Sequence, residues 1–186
     1  LQHIGIMSSR SEGDNLILVG FMGVGKSTVG RELERLGGLC LIDLDSVIVQ
    51  FAGHSIPEIF ATEGEERFRD YEAAALRSLV GVRRTVIATG GGIIGREENW
   101  KVMHQLGPIV YLRAAWVTLR KRLVGSQGRP LADAGLELRQ VEELWRRRLP
   151  LYEQADISVD TDDLNATEVA MAILQKIGRR EGKINA

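Results

Sequence analysis

The chain has 186 residues, 44% of them hydrophobic and 26% charged, with a formal net charge of −1. That is enough sequence for one globular domain with a full core. A balanced charge and only 5% aromatic residues argue against a dedicated nucleic-acid binder and against a base-stacking platform. The single cysteine, Cys40, lies in an apolar run; it reads as a buried, inert thiol in a reducing compartment, without an internal disulfide. No apolar run reaches bilayer length, and the cytoplasm is the expected location. The chain starts at Leu1 rather than Met. Residues 1–13 read as a leader or cloning remnant without order, with Met7 as an alternative start, and 181–186 as a tail.

Short apolar runs alternate with longer amphipathic segments. Residues 15–20 (NLILVG) predict a buried strand and 26–38 a helix stopped by Gly37-Gly38. A second strand is expected over 39–43, then short helices over 46–52 and 56–61. In the next segment, 65–80, Phe68, Tyr71, Ala75, Leu76 and Leu79 share one helical face. Strands follow at 85–89, 108–112 and 156–160, separated by helices at 96–105, 115–123 and 136–148, the last closed by Pro150; a final helix covers 166–177. Strands separated by helices predict a parallel sheet with helices on both faces.

Gly20-x4-Gly25-Lys26-Ser27 has the Walker A spacing, placed between a predicted strand and a predicted helix. A loop without Cβ atoms can turn its N–H groups around a phosphate, and the following helix adds the positive end of its dipole. Gly23, Val24, Gly25, Lys26, Ser27 and Thr28 are the candidate nucleotide contacts, with Lys26 at the outer phosphates and Ser27 as a Mg²⁺ ligand. Asp43 closes the second strand, where ligands of parallel sheets gather, and is the second candidate for Mg²⁺. Asp45 has two readings: a functional carboxylate on the same face, or the cap of a helix starting near Val47. His3, His54 and His104 show no metal-ligand spacing, and the three tryptophans read as packing residues.

With GFMGVGKST, LIDLD, IPEIFATEGEERFRDYE, ATGGGI, GRPL and RRRLPLY in this order, the chain resembles the shikimate kinase family over nearly its whole length. The resemblance implies a three-layer α/β/α fold with a five-stranded parallel sheet of order 2-3-1-4-5. It implies transfer of the ATP γ-phosphoryl group to the 3-hydroxyl of shikimate, with one Mg²⁺, in a monomer that binds neither nucleic acid nor membrane. The domain would span 14–180 with a mobile lid near 125–136. By the same resemblance Asp45 contacts the ring hydroxyls and assists deprotonation, Arg69 and Arg148 grip the carboxylate, and Gly91 offers backbone. Arg129, in the lid, closes over the ATP phosphates and joins Lys26 and Asp45 in catalysis.

Guanidinium groups suit a carboxylate acceptor, and phosphoryl transfer needs chiefly positioning and charge neutralisation. Each position also has a plainer reading: Arg69 as a solvated helix residue, residues 146–148 as cations at a helix end, Gly90–Gly92 as a turn. Members of the family often bring an arginine toward adenine from the loop before the last helix; here TDDLN, 161–165, has none. Other small-molecule P-loop kinases, such as gluconate kinases, and a binding domain without turnover are the rival readings.

Overall fold

The computed structural model describes residues 15–125 and 137–184. The chain order is β1 (Leu16–Val19), α1 (Lys26–Gly37), β2 (Cys40–Asp43), α2 (Leu44–Ala52), α3 (Ile56–Thr62), α4 (Gly64–Ser78) and β3 (Thr85–Ala88). A single 3₁₀ turn (Ile93–Gly95) precedes α5 (Glu97–Leu106), β4 (Ile109–Arg113), α6 (Trp116–Gly125), α7 (Leu138–Tyr152), β5 (Ile157–Asp160) and α8 (Ala166–Ile184). The strands form one five-stranded sheet of order β2-β3-β1-β4-β5, and every pairing is parallel. This is the expected order.

All four residues of β1 are buried. Because successive side chains of a strand point to opposite faces, both faces of the sheet are covered there. Helix α1 packs against α8 and also touches β1, β2 and β3, while α5 reaches β1. Helices α2, α3 and α4 pack on one another between β2 and β3, in place of a single crossover helix. The register puts Leu18 beside Ala88, and Ala88 beside Asp43. The carboxyl ends of β1, β3 and β2 are therefore level, and the segments that follow them meet on one side of the sheet. Among the described residues no helix is long and apolar enough to cross a membrane.

Local chemistry explains most boundaries. Gly38 ends α1 in the left-handed conformation, φ 63°, a geometry that costs glycine little. Ser55 and Glu58 form a reciprocal capping box that starts α3.

Three sequence expectations need correction. Cys40 is exposed, because β2 is an edge strand rather than an interior one; Leu41 N donates to Glu34 Oε1 at 3.0 Å, which covers one open N–H of that strand. Helix α2 starts at Leu44, and its cap is Asp43, which accepts from Asp45 N at 3.1 Å; Asp45 is inside the first turn. Pro150 does not close α7, which runs on to Tyr152. A proline costs a helix one hydrogen bond and a steric clash, and here burial of Tyr152 at 0% exposure offsets that cost.

Candidate active site

The loop between β1 and α1 is built around Gly25, the N-cap of α1, with φ 100° and no side chain capping the helix. Glycine adopts this conformation without strain, and the uncapped first N–H groups of α1 are left for a ligand. Lys26 Nζ donates to the carbonyls of Gly20, at 2.7 Å, and Phe21, at 3.1 Å, so the ammonium lies across the loop. Ser27 Oγ donates to Asp43 Oδ2 at 2.9 Å. The other oxygen of Asp43 caps α2, which fixes the carboxylate behind the loop.

A hydroxyl and a carboxylate from two elements, in hydrogen-bond contact beside a phosphate loop, make an all-oxygen donor pair. That chemistry fits Mg²⁺, which takes few protein ligands and keeps water and substrate oxygens as the rest. Among the described residues no group of three or more His, Cys, Asp or Glu side chains forms a larger cluster for a metal.

Two hollows meet over this loop. The first, about 370 Å³, lies between Gly23–Gly25, Arg122 of α6, and Leu164 and Asn165 of the loop before α8. Arg122 is fixed there by donating to Val24 O at 3.1 Å and Thr161 O at 3.0 Å. The second, about 300 Å³, is lined by Lys26, Ser27, Asp43, Asp45, Gly90 and Gly91. Gly23, Gly25, Thr28 and Leu123 line both.

The glycine turn after β3 is the centre of the second hollow. Arg69, on α4, donates from Nη1 to Glu72 Oε2 at 2.8 Å and from Nη2 to Glu65 Oε1 at 3.1 Å. Its guanidinium lies so close to Gly92 that a Cβ there would overlap it. Arg148, on α7, reaches Gly91 O from Nη1 at 3.3 Å, and Tyr152 donates to the same oxygen at 2.5 Å. Glu72 is fully buried, and its Oε1 has no partner among the described residues. A Cβ on Gly90 would stand 2.8 Å from that oxygen and 3.4 Å from Asp45 Oδ1. Acids from α2 and α4 thus face each other across a residue without a side chain.

The electrostatics follow from this crowding. Asp45 opens to solvent at the mouth of the hollow, yet the protein around its carboxyl, and then Asp43, raise its pKa above the usual range, against the pull of Lys26 and Arg69. Burial raises Glu72 as well; Arg69 lowers it and Asp45 raises it further.

Lys26, Ser27, Thr28, Asp43, Asp45, Gly23, Gly25 and Gly91 all line the second hollow; Val24 lines the first. Arg69 and Arg148 approach the glycine turn from two helices, and Arg146 and Arg147 are exposed, as expected of surface charges. Arg129 and residues 126–136 of the expected lid, 125–136, lie outside the described residues, as does the leader. Sequence reasoning missed Arg122, Glu72 and Tyr152. Glu72 could have been found from its spacing to Arg69, three residues along one helix face. Arg122, between Lys121 and Leu123 on a helix, carries no local mark.

The strand order and the phosphate loop define an α/β P-loop kinase fold. The family model described as shikimate kinase matches residues 22–178, and the chain belongs to that family. It is 40% identical to the shikimate kinase of Thermodesulfovibrio yellowstonii, over 89% of this chain and 95% of that protein. It is 42% identical to that of Thermus thermophilus, over 87% and 89%. Among solved structures, shikimate kinase from Acinetobacter baumannii in complex with shikimate superposes with a TM-score of 0.83 at 36% identity, covering 90% of this chain and 94% of that one. A gluconokinase from Sinorhizobium meliloti, TM-score 0.65 at 18% identity, covering 95% and 100%, shares the fold alone.

Proposed function

We infer that the chain is a shikimate kinase: it transfers the γ-phosphoryl group of ATP to the 3-hydroxyl of shikimate, a step on the route to chorismate. The observation that carries this reading is the second hollow, where Asp45, Arg69 and Arg148 surround the Gly90–Gly92 turn within reach of Lys26 and Ser27. A hollow of about 300 Å³ holds one small ring, and two guanidinium groups suit its carboxylate.

The proposed roles follow from position. Backbone N–H groups of 23–28 and the N-terminus of α1 hold the β-phosphate, and Lys26 turns from its carbonyl partners to the outer phosphates. Ser27 and Asp43 would hold Mg²⁺, which supplies charge neutralisation at the phosphates when bound. Asp45, as carboxylate, accepts the proton of the 3-hydroxyl as its oxygen forms the new P–O bond and the bond to the ADP oxygen breaks. Arg69 and Arg148 orient the ring through its carboxylate, and Gly91 contributes backbone. Arg129 completes the phosphate contacts. The enzyme is proposed to be monomeric and cytoplasmic, and sedimentation of the purified chain checks the first of these.

The test is ADP release from MgATP with shikimate, gluconate or quinate as acceptor. Turnover that depends on shikimate, with the other two near background, is expected. Turnover with gluconate in its place would overturn the acceptor assignment and leave the P-loop kinase class standing.

A further inference from the structure

Tyr152 ends α7 one turn beyond Arg148, and it is fully buried. Its ring stacks on Tyr111 of β4, with centroids 5.1 Å apart and planes 11° from parallel. Two donors share the Gly91 carbonyl, and they are unequal. The Tyr152 hydroxyl is at 2.5 Å, a short and strong contact, whereas Arg148 Nη1 is at 3.3 Å, beyond the ordinary range for an N–H donor. The neutral hydroxyl therefore satisfies the carbonyl, and the half-buried cation, which also faces the Tyr152 hydroxyl and the Glu72 carboxyl, depends on that carbonyl only weakly.

The consequence concerns substrate binding. If Arg148 were the carbonyl's sole donor, turning to a carboxylate would leave a partly buried oxygen without a partner, and such oxygens are costly. With Tyr152 in place, Arg148 can turn without that loss. We propose that Tyr152 is a positioning residue for the acceptor: it holds the Gly91 carbonyl so that Arg148 is free to bind the substrate carboxylate. This rests on the acceptor reading above. The stacked ring and the continuation of α7 past Pro150 both serve to place that hydroxyl.

The experiment begins with wild-type kinetics. Absence of shikimate-dependent turnover would remove the acceptor reading, and this inference with it. Given turnover, Tyr152→Phe is expected to raise KM for shikimate roughly three- to tenfold, the worth of about one hydrogen bond, with KM for ATP changed less than about twofold. In an Arg148→Ala background the same substitution should leave KM for shikimate unchanged, because the residue acts through Arg148. A lower Tm with unchanged KM, equal rises in both KM values, or the same rise without Arg148 would each overturn the proposal and leave the acceptor reading intact. Should Tyr152→Phe not fold, side-chain NMR of the wild type decides. Adding shikimate must shift the Arg148 guanidinium resonance and leave the Tyr152 hydroxyl bonded; a displaced Tyr152 hydroxyl or an unmoved Arg148 overturns it.

Discussion

The phosphate side and the acceptor side of this groove are assembled by different means. The phosphate side is nearly continuous in sequence: residues 20–28 supply the loop, the lysine and the hydroxyl, and one strand away Asp43 completes the donor pair. The acceptor side gathers Asp45 of α2, Arg69 and Glu72 of α4, the turn after β3, and Arg148 and Tyr152 of α7. Backbone conformation does most of the work on the first side. On the second, long side chains are held by one another, with a buried acid under one guanidinium and a carbonyl under the other. A contiguous loop carries its geometry with it; a dispersed site depends on the packing of several elements, so single substitutions there should alter acceptor binding before they alter nucleotide binding.

The sharpest break of that comparison is at Lys26. Lys26→Ala removes the only side-chain ammonium among the described residues lining the hollow and should lower kcat by about 10³-fold or more, with the circular dichroism spectrum and Tm near wild type. Near-normal turnover would contradict the phosphate-side assignment. Asp45→Asn ranks next, with an expected loss of about 10²- to 10⁴-fold in kcat, the usual worth of a general base. It should also change the pH profile. Because the Asp45 carboxyl is raised above its ordinary 3.8, the proton-accepting form is lost as pH falls through that raised value. The acid limb of kcat should therefore lie above 3.8, and it should vanish in Asp45→Asn. An unchanged limb in the variant would move the base elsewhere.

The same contrast explains what the sequence made legible. Every strand and helix was anticipated to within a few residues except the ends of α7, which runs to Tyr152, and of α8, which runs to Ile184 where 177 was expected; the phosphate loop was complete in one glance, because spacing along the chain is spacing in the site. Elsewhere local signals pointed the wrong way. Cys40 sits in LCLID, an apolar run with the look of an interior strand, yet pairing on one side only exposes it. Pro150 is a helix stop by propensity, and only the tertiary partners of Tyr152, Tyr111 and Gly91, explain why α7 continues. Asp45 read as the cap of a helix starting near Val47, but α2 begins at Leu44 and the cap is Asp43. Arg122 is invisible without the fold, since its partners, Val24 and Thr161, are 98 and 39 residues away. The roles of Arg69 and Arg148 entered through family resemblance rather than through any local pattern.

A gentler perturbation tests whether packing sets acceptor affinity. Gly92 has an ordinary backbone conformation, φ −100°, so an added methyl strains nothing along the chain. That methyl would stand inside the space of the Arg69 guanidinium, and the long side chain must give way. Gly92→Ala should therefore raise KM for shikimate roughly five- to tenfold, about 1 kcal/mol, with KM for ATP and Tm little changed. Equal weakening of both substrates would mean that the turn, rather than Arg69, had moved.

The smallest expected effect is on the nucleotide side. Leu164, 39% exposed, lines the first hollow. Its side chain can only cover a base; a guanidinium in its place could stack on one and add a cation–π contact, worth about 0.5–1 kcal/mol at an exposed position. Leu164→Arg is expected to lower KM for ATP roughly two- to fivefold, with KM for shikimate unchanged, and the gain should shrink as salt is raised. The direction matters more than the size. Asp162 and Asp163 precede this position, and Asp162 is already engaged, accepting from Ala115 N at 3.0 Å. Asp163 is exposed and could draw the new arginine away from the groove. If Leu164→Arg alone has no effect but Leu164→Arg with Asp163→Asn tightens ATP, competition by that carboxylate is the reason. If neither variant changes KM for ATP, the base does not lie against Leu164, and the nucleotide must reach the groove by way of Arg122 instead.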